Sequence, residues 1–325
     1  MKLSRRSVFE LAAGAVALPA LTRRVMAEPY PARPVRLIVT VPPGSSPDII
    51  GRLIAQWLSD RLGQPFVVEN RPGASANIGT ELALHAPPDG YTLLLSMSSN
   101  AINASLYQHL SFNFLRDAAP VAKIASIPLV MNVNPSVAAQ SVPEFIAYAK
   151  ANPGKITMAS SGVGTPLYVA GELFRMMAGI EMLNVPYQGE APAASDLLAG
   201  QAQVMFGVMP MAIGYIKAGK VRALAVTSAT RQDVLPDVPA MNEFLPGYEA
   251  SGWYGVVAPA ATPPDIIATL NQAIDAGLAD RGLRQRFIDL GCTLGPGSPA
   301  DFAAFIAAET DKWAKVVKFA GIKAD

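Results

Sequence analysis

Two glycine-containing turns carry most of the chemistry this sequence offers. Pro42-Pro43-Gly44-Ser45-Ser46-Pro47-Asp48 follows one β-branched apolar run, and Ser160-Ser161-Gly162-Val163-Gly164-Thr165-Pro166 follows another. Each places a hydroxyl residue where a helix N-cap belongs and a proline just inside the helix. Glycine lets backbone approach a ligand, and the unpaired N–H groups of a helix start favour an anion. Either turn alone also fits a well-capped helix start. As a pair, they predict a carboxylate gripped by backbone donors from two sides. One side is Pro43, Gly44, Ser45, Ser46 and Asp48; the other is Ser161, Gly162, Gly164 and Thr165. Asp48 falls in the first helical turn, where the helix dipole favours a carboxylate. As a ligand contact, it would accept from a hydroxyl, an amine or a bound water.

A third loop, Asn70–Gly79, is equally small and polar, and adds Asn77 to the candidate set. Arg71 in that loop is as well suited to pairing with Glu69 as with a ligand. Ser96–Asn100 ends a further strand with hydroxyls and an amide, of which Ser96 is the candidate contact. Tyr187 and Gly207 complete the set. With Tyr168, Met205 and Met209, Gly207 predicts a roomier and less polar second side to the site.

Signals for catalysis are poor. The chain has no G-x-S-x-G elbow, no G-x-x-x-x-G-K-[ST] phosphate loop and no H-E-x-x-H. His85 and His109 make no zinc motif, and neither falls in a candidate loop. No His/Asp arrangement can be assembled to activate a serine. The single cysteine, Cys292, excludes a disulfide framework and a cysteine-based metal site. The expectation is a binding protein, not an enzyme, with no metal and no cofactor.

The turns need strands and helices to position them, and the pattern supplies both. Short β-branched runs alternate with helical periodicity, the mark of α/β architecture with largely parallel sheets. Val35–Val41, Phe66–Glu69, Thr92–Ser96 and Val121–Val133 read as strands, and Pro47–Leu62 as a helix closed by Gly63. The second region has strands at Ile156–Ser160, Met182–Tyr187, Ala202–Val208 and Val221–Thr227. Between them lie helices at Pro166–Met177, Ala191–Leu198 and Met211–Ala218. After a proline-rich passage, Trp253–Ala258 returns as a strand, and the rest is helical: Pro264–Ala279, Leu283–Leu290 and Pro299–Phe319.

Those last helices need a sheet made earlier, so the first domain is expected to be discontinuous. The long Val121–Val133 segment and the return at Gly252–Pro259 would be its two crossings. Two α/β lobes joined by a two-strand hinge, with the ligand cleft between them, is the periplasmic-binding-protein architecture. The lobes are expected at residues 28–128 plus 252–325 and at 129–251. A single large sheet is the competing arrangement.

Composition fits an exported binding protein. Hydrophobic residues make up 51% and charged residues 16% of 325, with a mean hydropathy of +0.28. The charged share is below the ~25% of an average globular chain. No apolar run reaches the ~18–20 residues a membrane span needs. A net charge of +1 without a basic cluster argues against nucleic acid. Residues 1–27 read as a removable signal: Lys2, Arg5 and Arg6, then apolar Leu11–Leu21, then the cleavage site Val25-Met26-Ala27. Ser4-Arg5-Arg6-Ser7-Val8-Phe9 fits a twin-arginine signal, with an ordinary secretory signal as the alternative. Without that segment the chain has a net charge of −3. It is expected to work as a soluble periplasmic monomer.

At the turns and beyond, the sequence resembles the solute receptors of tripartite tricarboxylate transporters, the Bug family. The resemblance rests on Val41-Pro42-Pro43-Gly44…Asp48, Glu69-Asn70-Arg71-Pro72-Gly73-Ala74…Asn77-Ile78-Gly79 and Pro88-Asp89-Gly90-Tyr91-Thr92-Leu93. It continues through Gly162-Val163-Gly164-Thr165-Pro166…Ala170-Gly171-Glu172, Val185-Pro186-Tyr187-Gln188-Gly189 and Ala218–Thr227. Leu235-Pro236-Asp237-Val238-Pro239 and Ala258–Pro263 complete it, so it spans the mature chain.

The resemblance implies a type II periplasmic-binding fold that delivers a small organic carboxylate to a membrane permease. A sensor subunit that feeds a signalling protein would need the same cleft. It also implies that backbone groups and waters hold the carboxylate, here at Pro43, Gly44, Ser45, Asp48, Gly162, Gly164 and Thr165. Ser45 and Ser46 stand where the family is glycine-richer, and Tyr168 where a histidine is common. Gln203 and Gly207 stand where acids are common. These departures bear on the ligand, for which an aromatic acid or a medium-length dicarboxylate is expected in preference to an amino acid.

Overall fold

The computed structural model describes residues 30–324, and the export segment expected over residues 1–27 lies outside them. The chain begins with β1 (Val35–Val39), α1 (Ser46–Leu62), β2 (Phe66–Asn70), α2 (Asn77–Leu84) and β3 (Thr92–Met97). It continues through α3 (Ser98–Leu106), the single turn α4 (Phe114–Asp117) and β4 (Ala118–Ile127). A second run holds β5 (Leu129–Val133), α5 (Val142–Ala151), β6 (Thr157–Ser160), α6 (Pro166–Ala178) and β7 (Leu183–Pro186). It ends with α7 (Glu190–Leu198), β8 (Val204–Val208), α8 (Met209–Lys217) and β9 (Arg222–Val226). The last part is β10 (Gly252–Pro259), α9 (Pro264–Ala279), α10 (Arg281–Asp289), β11 (Thr293–Leu294) and α11 (Pro299–Ala320).

The strands form two sheets, ordered β11-β4-β10-β3-β1-β2 and β7-β6-β8-β5-β9. That excludes a single large sheet. In the first, β2, β1 and β3 run parallel and β10 inserts antiparallel between β3 and β4. In the second, β7, β6 and β8 run parallel and β5 inserts antiparallel between β8 and β9. The first sheet thus has two strands that run against the parallel set, β10 and the short edge strand β11, and the second has one, β5; β10 and β5 each adjoin a crossing. The apolar segment expected as one strand over Val121–Val133 is two strands in two sheets. Pro128, which has no N–H to donate to a ladder, stands at the break. The chain returns to the first sheet through Ser251 into β10.

Helices cover the sheets through spaced apolar side chains. In α1, Ile50, Leu53, Ile54 and Leu58 are buried at helical spacing. Each burial contributes about 1.5–3 kcal/mol relative to exposure. The core is continuous: Ile38 and Leu94 of the first sheet connect through Leu106 and Trp253 to Met158, Phe174 and Phe206 of the second. Helix α11 packs on β4 and α3 of the first lobe and also on α6 of the second. It is anchored by Glu309, whose buried carboxylate accepts from the indoles of Trp253 at 3.2 Å and Trp313 at 2.9 Å. Helix α11 therefore touches elements of both lobes.

Candidate functional site

Both turns sit at the carboxyl ends of central strands, where α/β sheets offer ligands a crevice. In the first, Gly44 has φ +84°, a conformation that disfavours a side chain, and its N–H donates to Asp48 Oδ2 at 2.8 Å. Ser45 Oγ donates to the Pro42 carbonyl at 2.8 Å. Asp48 is buried and also accepts from Arg52 Nε at 2.9 Å and, on Oδ1, from Asn70 Nδ2 at 2.8 Å. Burial works to raise its pKa, but the Arg52, Gly44 and Asn70 hydrogen bonds and the Arg52 charge hold it below the usual carboxylate range. Asp48 is a buckle that shapes the turn, with its carboxylate already engaged.

In the second turn, Thr165 caps α6, accepting from Tyr168 N at 3.3 Å and donating to the Gly162 carbonyl at 2.7 Å. Ser161 Oγ donates to Thr165 Oγ1 at 3.0 Å. Gly164 has φ +77°, and a Cβ there would collide with Leu106 Cδ2 of α3. The second turn therefore presses against the first lobe.

Between the sheets lies a cavity of about 200 Å³. Pro47, Met97, Ser98, Ser99 and Tyr254 line it from the first sheet's side, and Pro166, Leu167 and Val208 from the second. Ile127, Leu129 and Gly252 close it at the crossings. No lining side chain is charged. Helices α1, α3, α6 and α8 all begin at or beside this wall, so their positive ends converge on an apolar space. Ser99 Oγ is enclosed there without a hydrogen-bond partner in the protein.

The sequence-predicted residues stand around this cavity unevenly. Pro43, Gly44, Ser45 and Ser46 lead into Pro47, and Ser161, Gly162, Gly164 and Thr165 lead into Pro166, so their chain neighbours form the wall. Ser96 is fully buried in β3, with its hydroxyl donated to the Gly255 carbonyl at 3.0 Å. Tyr187 donates its hydroxyl to Asp196 at 2.6 Å. Asn77 accepts from Asn103 Nδ2 at 2.9 Å and has its own Nδ2 unpartnered. The loop before it bends through Ala74, Ser75 and Ala76, all at positive φ, and Ser75 O is pinned by Asn103 Nδ2 at 2.7 Å.

Gly207 and Met205 face the α7/α8 side of β8, where with Asn132 and Glu190 they line a separate, much smaller cavity. That places them away from the space between the lobes, because alternate residues of β8 point to opposite faces. Glu190 accepts from Val208 N at 2.7 Å, and its pKa is raised to about 7 by burial, against the lowering effect of that N–H.

Sequence reasoning singled out the Ser96–Asn100 run but chose Ser96 within it rather than the cavity-lining Ser98 and Ser99, because α3 was not anticipated, and it did not point to Tyr254. The signal for α3 was Asn100, whose Oδ1 accepts from Met97 N at 2.8 Å and fixes the helix start. Among the described residues, no group of three or more His, Cys, Asp or Glu is placed to hold a metal ion. No described helix is long and apolar enough to cross a membrane.

Comparison with known proteins gives the family. Residues 50–322 match the tripartite tricarboxylate transporter family receptor. Protein BugT of Bordetella pertussis is 39% identical over 311 residues, covering 95% of each chain. Among solved structures, Rpa4515 of R. palustris with adipate superposes with TM-score 0.77 at 35% identity, covering 90% of this chain and 99% of that one. MatC of Rhodopseudomonas palustris with bound malate superposes with TM-score 0.74 at 29% identity, covering 89% and 100%. The chain belongs to the tripartite tricarboxylate transporter receptor family, and is a solute-binding receptor with the two-lobed fold of its periplasmic relatives.

Proposed function

We propose that this receptor binds a small organic carboxylate in the cavity between its lobes and hands it to a tripartite tricarboxylate-type permease in the membrane. The observation that carries the reading is the convergence of four helix starts on an uncharged cavity of about 200 Å³. Unpaired N–H groups at helix starts stabilise an anion without any arginine. The apolar remainder of the wall suits a carbon chain or ring. Relatives with adipate or malate bound fit the same chemistry.

In this reading the carboxylate sits between the Gly44 turn and the Gly164 turn. Pro43, Ser45, Ser46, Ser161, Gly162 and Thr165 shape the grip, and Ser99 adds a free hydroxyl. Asp48 acts by holding the first turn. The moving bodies are residues 28–128 with 252–325, and residues 129–251. Export to the periplasm with removal of residues 1–27, by the twin-arginine route, places the receptor where it would meet both solute and permease.

The test is a thermal-shift screen of the mature protein against organic acids, adipate and malate included. A ligand at 100 times its dissociation constant adds about 2.7 kcal/mol of stability. That is a rise of several degrees in the unfolding midpoint. A broad panel of carboxylates that leaves the midpoint unmoved would overturn the reading.

A further inference from the structure

β11, an edge strand of the first sheet, lies beside the loop that follows β9, an edge strand of the second. Between the loop after β9 and helix α10 runs a groove of about 410 Å³. Arg231 and Val234 stand on its second-lobe wall, Arg284 and Ile288 on its first-lobe wall, and Met209 and Cys292 line it between them. Thr293 Oγ1 crosses it to Gln232 Oε1 at 3.2 Å. The groove is separate from the carboxylate cavity but lies against it. Met209 directly follows Val208, a cavity residue. Tyr254, another cavity residue, pairs across β10 and β4 with Ala125, which on its other side pairs with Leu294 of the groove.

The groove is an unfinished surface. Val234 and Ile288 are 47% and 38% exposed. Arg281, Arg284 and Arg286 are exposed on α10 and have no ion pair among the described residues, whereas Arg231 is paired with Glu243 at 2.8 Å. Spacing of three and four residues puts Arg281 and Arg284 on one face with Ile288. The acids of this region are mostly committed: Asp280 caps α10 by accepting from Leu283 N, and Asp289 accepts from Gln285. Asp233 remains on the opposite wall.

We infer that this groove docks an acidic loop of the membrane permease, its carboxylates meeting Arg281 and Arg284 and an apolar side chain seating between Val234 and Ile288. The inference rests on the carboxylate-receptor reading above. Arginines without partners present forked donors suited to carboxylates. Because the two walls belong to different lobes, the width of the groove depends on lobe closure. A loop seated there distinguishes the loaded receptor from the empty one. By linkage, its binding and solute binding strengthen each other by the same factor.

Two measurements decide it. Cells carrying R281E/R284E, or V234D on the opposite wall, are assayed for uptake of a labelled carboxylate that the purified receptor binds. Both variants are expected to bind it within twofold of the unaltered receptor and to lower uptake at least tenfold. Unchanged uptake in either folded variant overturns the inference. In the second measurement, benzoylphenylalanine replaces Ile288 and is photo-crosslinked in cells. The expected product joins Ile288 to an acidic extramembrane peptide of the permease and strengthens with solute present. Crosslinks to a second receptor or to another protein overturn the inference. So does binding to phosphatidylglycerol vesicles that R281E/R284E abolishes. Absence of any carboxylate binding would instead sink the receptor reading, and the crosslink still decides the docking.

Discussion

Leu106 of the first lobe occupies the space that a side chain on Gly164 of the second lobe would need. Leu106 is itself buried, and it belongs to the apolar core that runs through both lobes. The contact gives the second turn's glycine a place in the packing of the two lobes, beside the ligand grip proposed for it.

Gly164→Val is therefore expected to weaken carboxylate binding by at least tenfold. The variant adds a strained φ and a clash across the cleft. Trimming the opposing side chain separates the two effects. Leu106→Ala in the same chain should recover part of the affinity if the clash dominates, and none if backbone strain does. Calorimetry on the two single variants and the double variant gives the coupling directly.

Gly44→Ala is the complementary case. A Cβ at Gly44 meets no protein atom within 4 Å, so its cost to folding is the left-handed backbone alone, about 1 kcal/mol. A carboxylate held at this turn would meet the added methyl. Affinity is expected to fall by more than the stability loss accounts for. Equal affinity in a mildly destabilised variant would place the ligand elsewhere.

These glycines were legible in the sequence because positive φ restricts the residue type at a turn. The strands and helices that carry them were legible from periodicity, with ends shifted by a residue or two. The switch of sheets at Pro128 was not, since Val121–Val133 is extended and apolar on both sides of the break. Which sheet a strand joins depends on partners far away in sequence. Helix α5 was missed although Ser141 caps it with Oγ accepting from Glu144 N at 3.4 Å, a signal written in Ser141-Val142-Pro143-Glu144. The direction of a side chain was least legible. Asp48 lies in a candidate loop yet turns inward to Arg52 and Asn70, and Gly207 lies on a cleft-bound strand yet faces α7 and α8.

Asp48→Asn tests the buckle. The variant loses the charge-assisted bond to Arg52 and weakens the hold on the Gly44 N–H, at a cost of about 2 kcal/mol. The pH dependence has a definite sign. Its folded pKa lies below the ordinary 3.8, so its stabilisation is present above that value and lost as pH falls through the folded one. Urea unfolding between pH 2 and 6 should show a shallower acid limb in the variant.

Glu190 acts in the opposite direction. Burial raises its pKa from 4.5 to about 7, so over that interval the folded protein holds a proton that the unfolded chain has released. Its stabilising contribution is complete below pH 4.5 and is lost as pH rises through about 7. The loss is about 3 kcal/mol at most. Glu190→Gln keeps a carbonyl to accept from Val208 N and cannot ionise. Its unfolding midpoint should vary less than that of the unaltered protein between pH 5 and 8. Parallel profiles would mean that Glu190 is ionised throughout.

Ligand selectivity follows from the charge of the cavity wall. None of its lining residues is acidic, so an α-ammonium group entering with a carboxylate would shed water and find no counter-charge. Burying a charge unpaired costs several kcal/mol, while the helix starts around the cavity favour the carboxylate and oppose the cation. Asp48 does not alter this, because its oxygens are already held by Gly44, Arg52 and Asn70. Matched pairs such as glutarate and glutamate, or adipate and its 2-amino derivative, isolate the ammonium while keeping chain and carboxylates. Calorimetry is expected to show the deaminated member binding at least tenfold more tightly in each pair. Ser99→Ala should reduce that affinity by a further few-fold, since its enclosed hydroxyl has no protein partner to lose. Tighter binding of the amino acid would mean that a carboxylate faces the ligand in the closed receptor, and the uncharged-wall argument would fail with it.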